Sequence, residues 1–240
     1  MDRMIYLSMS GAKATMQRQD TLAHNLANVS TVGFRAELAA FRAVPVEGSG
    51  ASTRVYALET TPGYDPTPGP VSGTGRALDV AMKGTAWLAV QALDGTEAYT
   101  RSGSLDVSAD GTLVTRGGVA VLGDGGTIQL PPNSEISIAI DGTVSAAIPN
   151  GPPTRVGKLK LVTPEASLER GIDGLFRAAE DLQADPLAQL QPGALEGSNV
   201  SAVETMVAMI AAARQFEAQM KLLQTAEGDE KAASQLLSAT

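Results

Sequence analysis

Apolar residues recur at heptad spacing at the two ends of the chain and at strand spacing between them. Near the N-terminus Ile5, Met9, Ala12, Met16, Gln19, Ala23 and Leu26 follow in steps of four and three, and Ala202, Met206, Met209, Ala213, Phe216, Met220 and Leu223 repeat the pattern near the C-terminus. A stripe of this kind is a seam that is buried against another helix. The first seam predicts a helix over about residues 3–28, ended by Asn28-Val29-Ser30-Thr31-Val32-Gly33, where glycine accepts a left-handed conformation. The second predicts a helix capped at Ser198, Asn199 or Ser201, the last opening the capping box Ser201-x-x-Glu204. It should reach Leu237 and loosen near Gly228-Asp229.

Between the seams the period changes. From Phe34 to about Gly75, prolines and glycines such as Pro45, Pro62, Gly63, Pro66 and Pro68 predict extended pieces and loops, with Tyr56 and Leu58 on one side of a hairpin. From Arg76 onward, short apolar runs predict strands at Leu78–Met82, Trp87–Gln91, Glu97–Arg101, Leu105–Val107 and Leu113–Thr115, with a last one over Val156–Val162. Asp94-Gly95, Asp110-Gly111, Gly117-Gly118, Asp124-Gly125 and Asp141-Gly142 separate them and predict hairpin turns with both central residues at positive φ. Gly171 to Arg177 predicts a tight turn and a short strand, and residues 180–197 a linker.

The fold class expected is therefore mixed α and β: an antiparallel β-domain, barrel- or sandwich-like, flanked by N- and C-terminal helices that pair as a coiled-coil-like element. The divisions expected are residues 1–33 for the N-terminal helix, 34–75 for an extended linker and hairpin region, 76–190 for the β-domain and 191–240 for the C-terminal helix.

Composition narrows the chemistry. Of 240 residues, 43% are hydrophobic but only 4% aromatic, so any core is built from aliphatic side chains and methionine. A net charge of -8, with the basic residues scattered, argues against a binder of nucleic acid. Without cysteine there is neither a disulfide nor a thiolate metal site, and one histidine leaves no imidazole pair for zinc. No apolar run reaches the length of a membrane span, and Met1 to Leu7 lacks the build of a cleaved signal peptide. His24 sits among Leu22, Ala23 and Leu26 and reads as a polar position on a helix face. Asp79, Asp94 and Asp106 are scattered rather than paired, and the Asp-Gly turns lack the ligand spacing of a calcium loop. Trp87 reads as core. No catalytic, cofactor or metal site is expected. A self-assembling structural subunit fits the two seams, and their small residues and methionines suit close, adaptable packing. A soluble ligand-binding β-domain with a helical hairpin is the alternative of another class.

Three stretches carry a resemblance. Leu22-Ala23-His24-Asn25-Leu26-Ala27-Asn28-Val29-Ser30-Thr31-Val32-Gly33-Phe34-Arg35 resembles the N-terminal signature of the bacterial flagellar rod and hook proteins. Leu195-Glu196-Gly197-Ser198-Asn199-Val200, followed by Glu204, Met206, Arg214, Phe216 and Glu217, resembles their C-terminal one. In the middle, Arg76 to Ala81, Gly84-x-x-Trp87 to Gln91 and Asp94 to Arg101 resemble the proximal-rod type, although Tyr99-Thr100-Arg101 is shared with the distal-rod type. Gly126-Thr127, in place of a glycine-proline pair, and Ala226 to Glu230 depart from the family pattern.

The resemblance implies a non-enzymatic subunit of the periplasmic basal-body rod that transmits torque by packing, of the proximal type, with the distal rod subunit of the same family as the nearest alternative. Its partners would be copies of itself, other proximal and distal rod subunits and the flagellar type III export apparatus, which would export it without a cleaved signal. Ile5, Met9, Met16, Leu22, Leu26, Met206, Met209, Phe216, Met220 and Leu223 would form the assembly interface, and Gly33 and Phe34 would set the turn out of the first helix.

Overall fold

The computed structural model describes residues 2–45, 55–148 and 151–238. In chain order the elements are α1 (Asp2–Ala27), β1 (Glu37–Pro45), β2 (Val55–Tyr64), β3 (Val71–Gly73), β4 (Val80–Met82), β5 (Trp87–Gln91), β6 (Glu97–Thr100), β7 (Leu105–Val107), β8 (Leu113–Thr115) and β9 (Ala120–Gly123). There follow β10 (Gly126–Thr127), β11 (Glu135–Ile138), β12 (Thr143–Ala147), β13 (Thr154–Lys158), β14 (Leu161–Val162), β15 (Glu169–Arg170), β16 (Phe176–Arg177), β17 (Leu190–Pro192), β18 (Ala194–Glu196) and α2 (Ala202–Ser238). The chain is thus mixed, with a helix at each end and antiparallel sheets between. It divides into two compact units, one of Met1–Val29, Ala36–Asp65 and Val200–Thr240, the other of Ser30–Arg35 and Pro66–Asn199.

In the helical unit α1 and α2 pack on each other and the β1–β2 hairpin packs on α1. Ser8, Ala12, Thr15, Thr205 and Ala212 are buried, Leu22, Leu26, Phe216 and Leu223 are half-buried on the same helix faces, and a Cβ on Gly11 would stand 3.1 Å from the Gln219 side chain. Ser201 caps α2, its Oγ accepting a long hydrogen bond (3.5 Å) from the Glu204 amide. Gly228 does not interrupt α2, which runs on to Ser238. A single exposed glycine costs a helix only about 1 kcal/mol relative to alanine. The Pro/Gly-rich stretch expected as extended pieces and loops, with Tyr56 and Leu58 on one side of a hairpin, contains that hairpin, and its two strands run longer than the pieces expected. Its prolines are tolerated because a two-stranded ribbon consists of edges, and Pro62 lies opposite a bulge between Leu38 and Ala40. Tyr56 and Leu58 fall two positions apart on β2; their side chains lie outside the described ones. Asn25 stitches the hairpin to the helix: its Nδ2 donates to the Glu37 carbonyl (2.9 Å) and its Oδ1 accepts the Glu37 amide (2.8 Å). His24, on the exposed side, places Nδ1 2.9 Å from Glu37 Oε2.

The β unit holds the aliphatic core. Val80, Leu88, Val90, Leu105, Leu113, Val121, Val144, Leu159, Leu161 and Leu190 are fully buried, and Trp87 packs on Phe176 with ring centroids 4.7 Å apart. Its largest sheet runs β15-β16-β6-β5-β9-β8-β7, with β10 on β9 and β14 on β5. A three-stranded sheet (β11-β12-β13) and the pairs β17-β4 and β18-β3 complete it. The sheets stay open, and no closed barrel forms among the described residues, which corrects that part of the expectation. The last strand expected splits at Leu159-Lys160: β13 stays with β12 while β14 pairs with β5. The stretch read as a linker contributes β17 and β18, where Leu190, Ala194 and Glu196 turn inward on either side of Gly193 at φ +65°.

The Asp-Gly turns form, but with another geometry. Ala92–Thr96, Ser108–Thr112 and Ala139–Thr143 each carry two backbone bonds, one from the glycine amide to the first residue's carbonyl and one from the first residue's amide to the last carbonyl. Only the glycine takes positive φ (Gly95 +83°, Gly111 +83°, Gly142 +84°). This is a type I turn with a glycine bulge. The aspartate is left free to accept the amide or hydroxyl of the following threonine, as Asp94 does from Thr96 at 2.9 and 2.6 Å.

Candidate anchoring site at the roots of the terminal helices

The β unit is entered or left at four points in the sequence, after Val29, Arg35, Asp65 and Asn199. The segments of this unit next to those points converge on one buried side chain, Glu196. Along β18, alternation turns Ala194 and Glu196 to the same buried face. Glu196 Oε1 accepts from Arg35 Nη1 (2.6 Å) and the Gly69 amide (3.0 Å); Oε2 accepts from Arg101 Nε (2.9 Å) and from Arg101 Nη2. Arg101 spends its remaining donors on backbone, with Nη1 to the Gly84 and Ala86 carbonyls and Nη2 to that of Met82. Arg35 Nη1 also reaches the Thr67 carbonyl at 2.8 Å, while its buried Nε has no protein partner among the described residues.

Main-chain bonds close the same knot. The Gly33 amide donates to the Glu196 carbonyl (2.8 Å), the Asn199 amide to the Phe34 carbonyl (3.3 Å), and Asn199 Nδ2 to the Thr67 carbonyl (3.0 Å). Gly33 takes φ +70°, and a Cβ there would lie 2.3 Å from the Arg101 carbonyl carbon. A Cβ on Gly69 would lie 2.1 Å from the Gly197 oxygen. No larger residue fits at either approach. Phe34 is buried with the Arg170 guanidinium 4.4 Å over its ring.

Two arginines and one glutamate, each at most 2% exposed, leave this cluster with an excess positive charge. Burial pulls the Arg101 guanidinium below its ordinary value; Glu196 opposes that pull and Arg35 adds to it. Glu196 is saturated by arginine and amide donors, so the arrangement suits fixing chain segments, with no group poised for proton transfer. Asp79 is likewise engaged, accepting from Thr74 Oγ1 (2.8 Å), Arg76 Nη1 (3.2 Å) and Ser104 Oγ (3.4 Å). Tyr99, whose hydroxyl donates to Glu97 and accepts the Leu182 amide, is pushed up to about 12, chiefly by burial. Among the described residues no group of acidic or imidazole side chains is arranged to hold a metal ion.

Gly33 and Phe34 lie in this knot. The seam residues do not come together as one buried stripe. Met9, Met16, Met206 and Met220 are exposed, and Leu22, Leu26, Met209, Phe216 and Leu223 are half-buried. The side chain of Ile5 lies outside the described ones. Sequence reasoning missed Arg35, Arg101 and Glu196 as a set. The signal for them was a charge within each of the three quoted motifs, one of them on the inward face of a short apolar strand where a lone carboxylate is rarely found.

Three family models match the chain: Flagella basal body rod protein over residues 5–35, Flagellar hook protein FlgE/F/G D1 domain over 81–146, and Flagellar basal body rod FlgEFG protein C-terminal over 191–236. Arg35, Arg101 and Glu196 fall one in each. The chain is 48% identical to the flagellar basal-body rod protein FlgF of Salmonella typhimurium and 48% identical to that of Escherichia coli, covering 99% of each partner and of itself. It is 31% identical to the rod protein FlgG of Bacillus subtilis over 94% of its own length and 95% of the relative. A helix at each end of the sequence, an antiparallel β unit between them and full-length identity of this order agree: the chain belongs to the flagellar basal-body rod proteins, as a FlgF-like member.

Proposed function

We propose that this protein is built into the proximal part of the flagellar basal-body rod, where it stacks helically with copies of itself and with neighbouring rod subunits and passes torque along the rod by packing alone, without enzymatic activity. In this reading residues 1–33 and 191–240 supply a coiled-coil-like helical domain, 34–75 the hairpin region and 76–190 the β-domain. The higher identity to FlgF of two enterobacteria than to FlgG of Bacillus subtilis supports the proximal rather than the distal position. The subunit would reach the periplasmic span of the rod through the flagellar export apparatus, with no cleaved signal.

One observation carries the reading. Among the described residues the fully buried apolar side chains of α1 and α2 are alanines, Leu22, Leu26, Met209, Phe216 and Leu223 are half-buried, and a further set of large apolar side chains stands exposed: Met9 and Met16 are 55% and 57% exposed, Val203 and Val207 73% and 62%. A helix pair that leaves such bulk outside is built to be covered by neighbours. The experiment replaces Val207 or Met16 by aspartate in cells carrying the variant as their only copy. Expected are cells that do not swim and basal bodies that lack the chain, while the purified variant keeps the circular dichroism of the parent. Normal swimming with Val207→Asp would overturn the reading.

A further inference from the structure

The outward faces of the two helices carry complementary charge as well as apolar bulk. On α1, Tyr6, Met9, Lys13, Met16 and Asp20 are exposed and fall within about 80° of one another on the helical wheel, away from Ser8 and Thr15. On α2, Val203, Val207, Ile210, Arg214, Glu217 and Lys221 are exposed and fall within about 80°, away from Thr205 and Ala212. The helices run antiparallel. The chain leaves α1 and enters α2 near the hydrogen-bonded Phe34 and Asn199, and further along Gly11 meets Gln219. That contact puts position 13 at the height of position 217. A second copy displaced sideways, without sliding along the helix axis, would therefore bring Lys13 to Glu217. Asp20 would lie about one turn from Arg214, within the reach of an arginine. Within the protomer none of these four side chains makes an ion pair among the described residues.

The geometry points to a contact, resting on the reading of this chain as a rod subunit, in which the outward stripe of α1 on one copy lies antiparallel on the outward stripe of α2 on a second copy, with Lys13 facing Glu217 and Asp20 facing Arg214. An isologous contact of α1 with α1 would also match Lys13 to Asp20, but it closes at two copies and leaves the α2 stripe bare. The heterologous contact covers both stripes and repeats around a ring or helix.

The chain contains no cysteine, so introduced thiols are the only ones it carries. Lys13→Cys together with Glu217→Cys, in basal bodies isolated from cells with that variant as their only copy, is treated with a short bismaleimide. Expected is a ladder of this chain at two, three and more copies, absent from either single variant. In parallel, Lys13→Glu should lower the amount of chain in basal bodies at least tenfold, and Lys13→Glu with Glu217→Lys should restore at least half of it. A chain present in basal bodies that gives no ladder, or only an internally linked monomer, overturns this contact and leaves the rod reading standing. A product from Met16→Cys alone that stops at two copies assigns the isologous contact instead and overturns the proposal. Absence of the unaltered chain from basal bodies sinks the rod reading and this contact with it.

Discussion

The β unit and the helical unit bury different things. In the β unit the large side chains are inside: Leu88, Leu105, Leu113, Val121 and Val144 are fully enclosed, and four charged residues, Arg35, Asp79, Arg101 and Glu196, are buried with them. In the helical unit the enclosed residues among those described are serine, threonine, alanine and Asn25; Leu22, Leu26, Met209, Phe216 and Leu223 are half-buried, and Met9, Met16, Val203, Val207 and Ile210 are exposed. Burial of apolar area stabilises by about 25 cal/mol per Å² wherever it occurs. The β unit gains that free energy when the chain folds; the helical unit defers the share carried by exposed residues such as Met9, Met16, Val203, Val207 and Ile210 until something covers the faces of α1 and α2. Stability of the protomer and competence for assembly are thus written into different residues, and a substitution in one class should leave the other property nearly intact.

Glu196→Ala should give the largest loss of protomer stability. It strands Arg35 and Arg101 in a buried site, and breaking a buried pair by removing one partner costs roughly 3–5 kcal/mol. Urea unfolding of the full chain, followed by the fluorescence of Trp87, should shift its midpoint accordingly. Arg101→Met should cost more than Arg35→Met, because Arg101 satisfies three backbone carbonyls and Arg35 one. Equal midpoints for the two arginine variants would mean that the carbonyl contacts add nothing.

Leu113→Ala and Val207→Ala compare the two units directly. Leu113→Ala removes a fully buried side chain and should cost about 2–5 kcal/mol of stability. Val207→Ala removes an exposed one and should stay within about 0.5 kcal/mol. The order should reverse in a swimming assay, with Val207→Ala impairing motility more than its stability predicts. If Val207→Ala destabilises the isolated protein as much as Leu113→Ala does, the outward face is covered within the protomer and the contrast between the units fails.

How much of this was legible in the sequence follows from the same division. The helices were readable because a heptad stripe spans many residues, and the strands over Trp87–Gln91, Leu105–Val107 and Leu113–Thr115 because apolar runs alternated with glycine turns. The stripe did not show which side of it would be covered. The half-buried Leu26 and the exposed Met9 carry the same spacing, and only the small residues Ala12, Thr15 and Ala212 mark the line along which two helices come close. β17 and β18 were hidden because three-residue strands flanking a glycine carry too little periodicity to stand out from a linker. The Arg35–Glu196–Arg101 knot was hidden for another reason. Its members are up to 161 positions apart along the chain, and nothing local says that three charges share one site.

The smallest effect expected is acidic. Asp94, Asp110, Asp141 and Asp185 are all held below the ordinary carboxylate value of 3.8. For Asp94 the hydroxyl of Thr96 is the main cause, for Asp110 that of Ser108, for Asp141 the amide of Thr143 and for Asp185 the hydroxyl of Thr163. A carboxyl group with a depressed value in the folded chain binds protons more readily when unfolded. Its contribution is therefore complete above the unfolded value, near pH 4, and drains away as pH falls through the folded one. Stability should be level from neutrality to about pH 5 and decline below about pH 4, in the β unit that carries these turns. Asp110→Asn keeps one of the two oxygens, enough to accept from either Ser108 or Thr112, and no longer titrates, so it should flatten the acid limb slightly at a small cost at pH 7. Unfolding midpoints taken from pH 6 down to pH 2 would show this, and an acid limb steeper in Asp110→Asn than in the parent would mean that the turn carboxylates are not what acid removes.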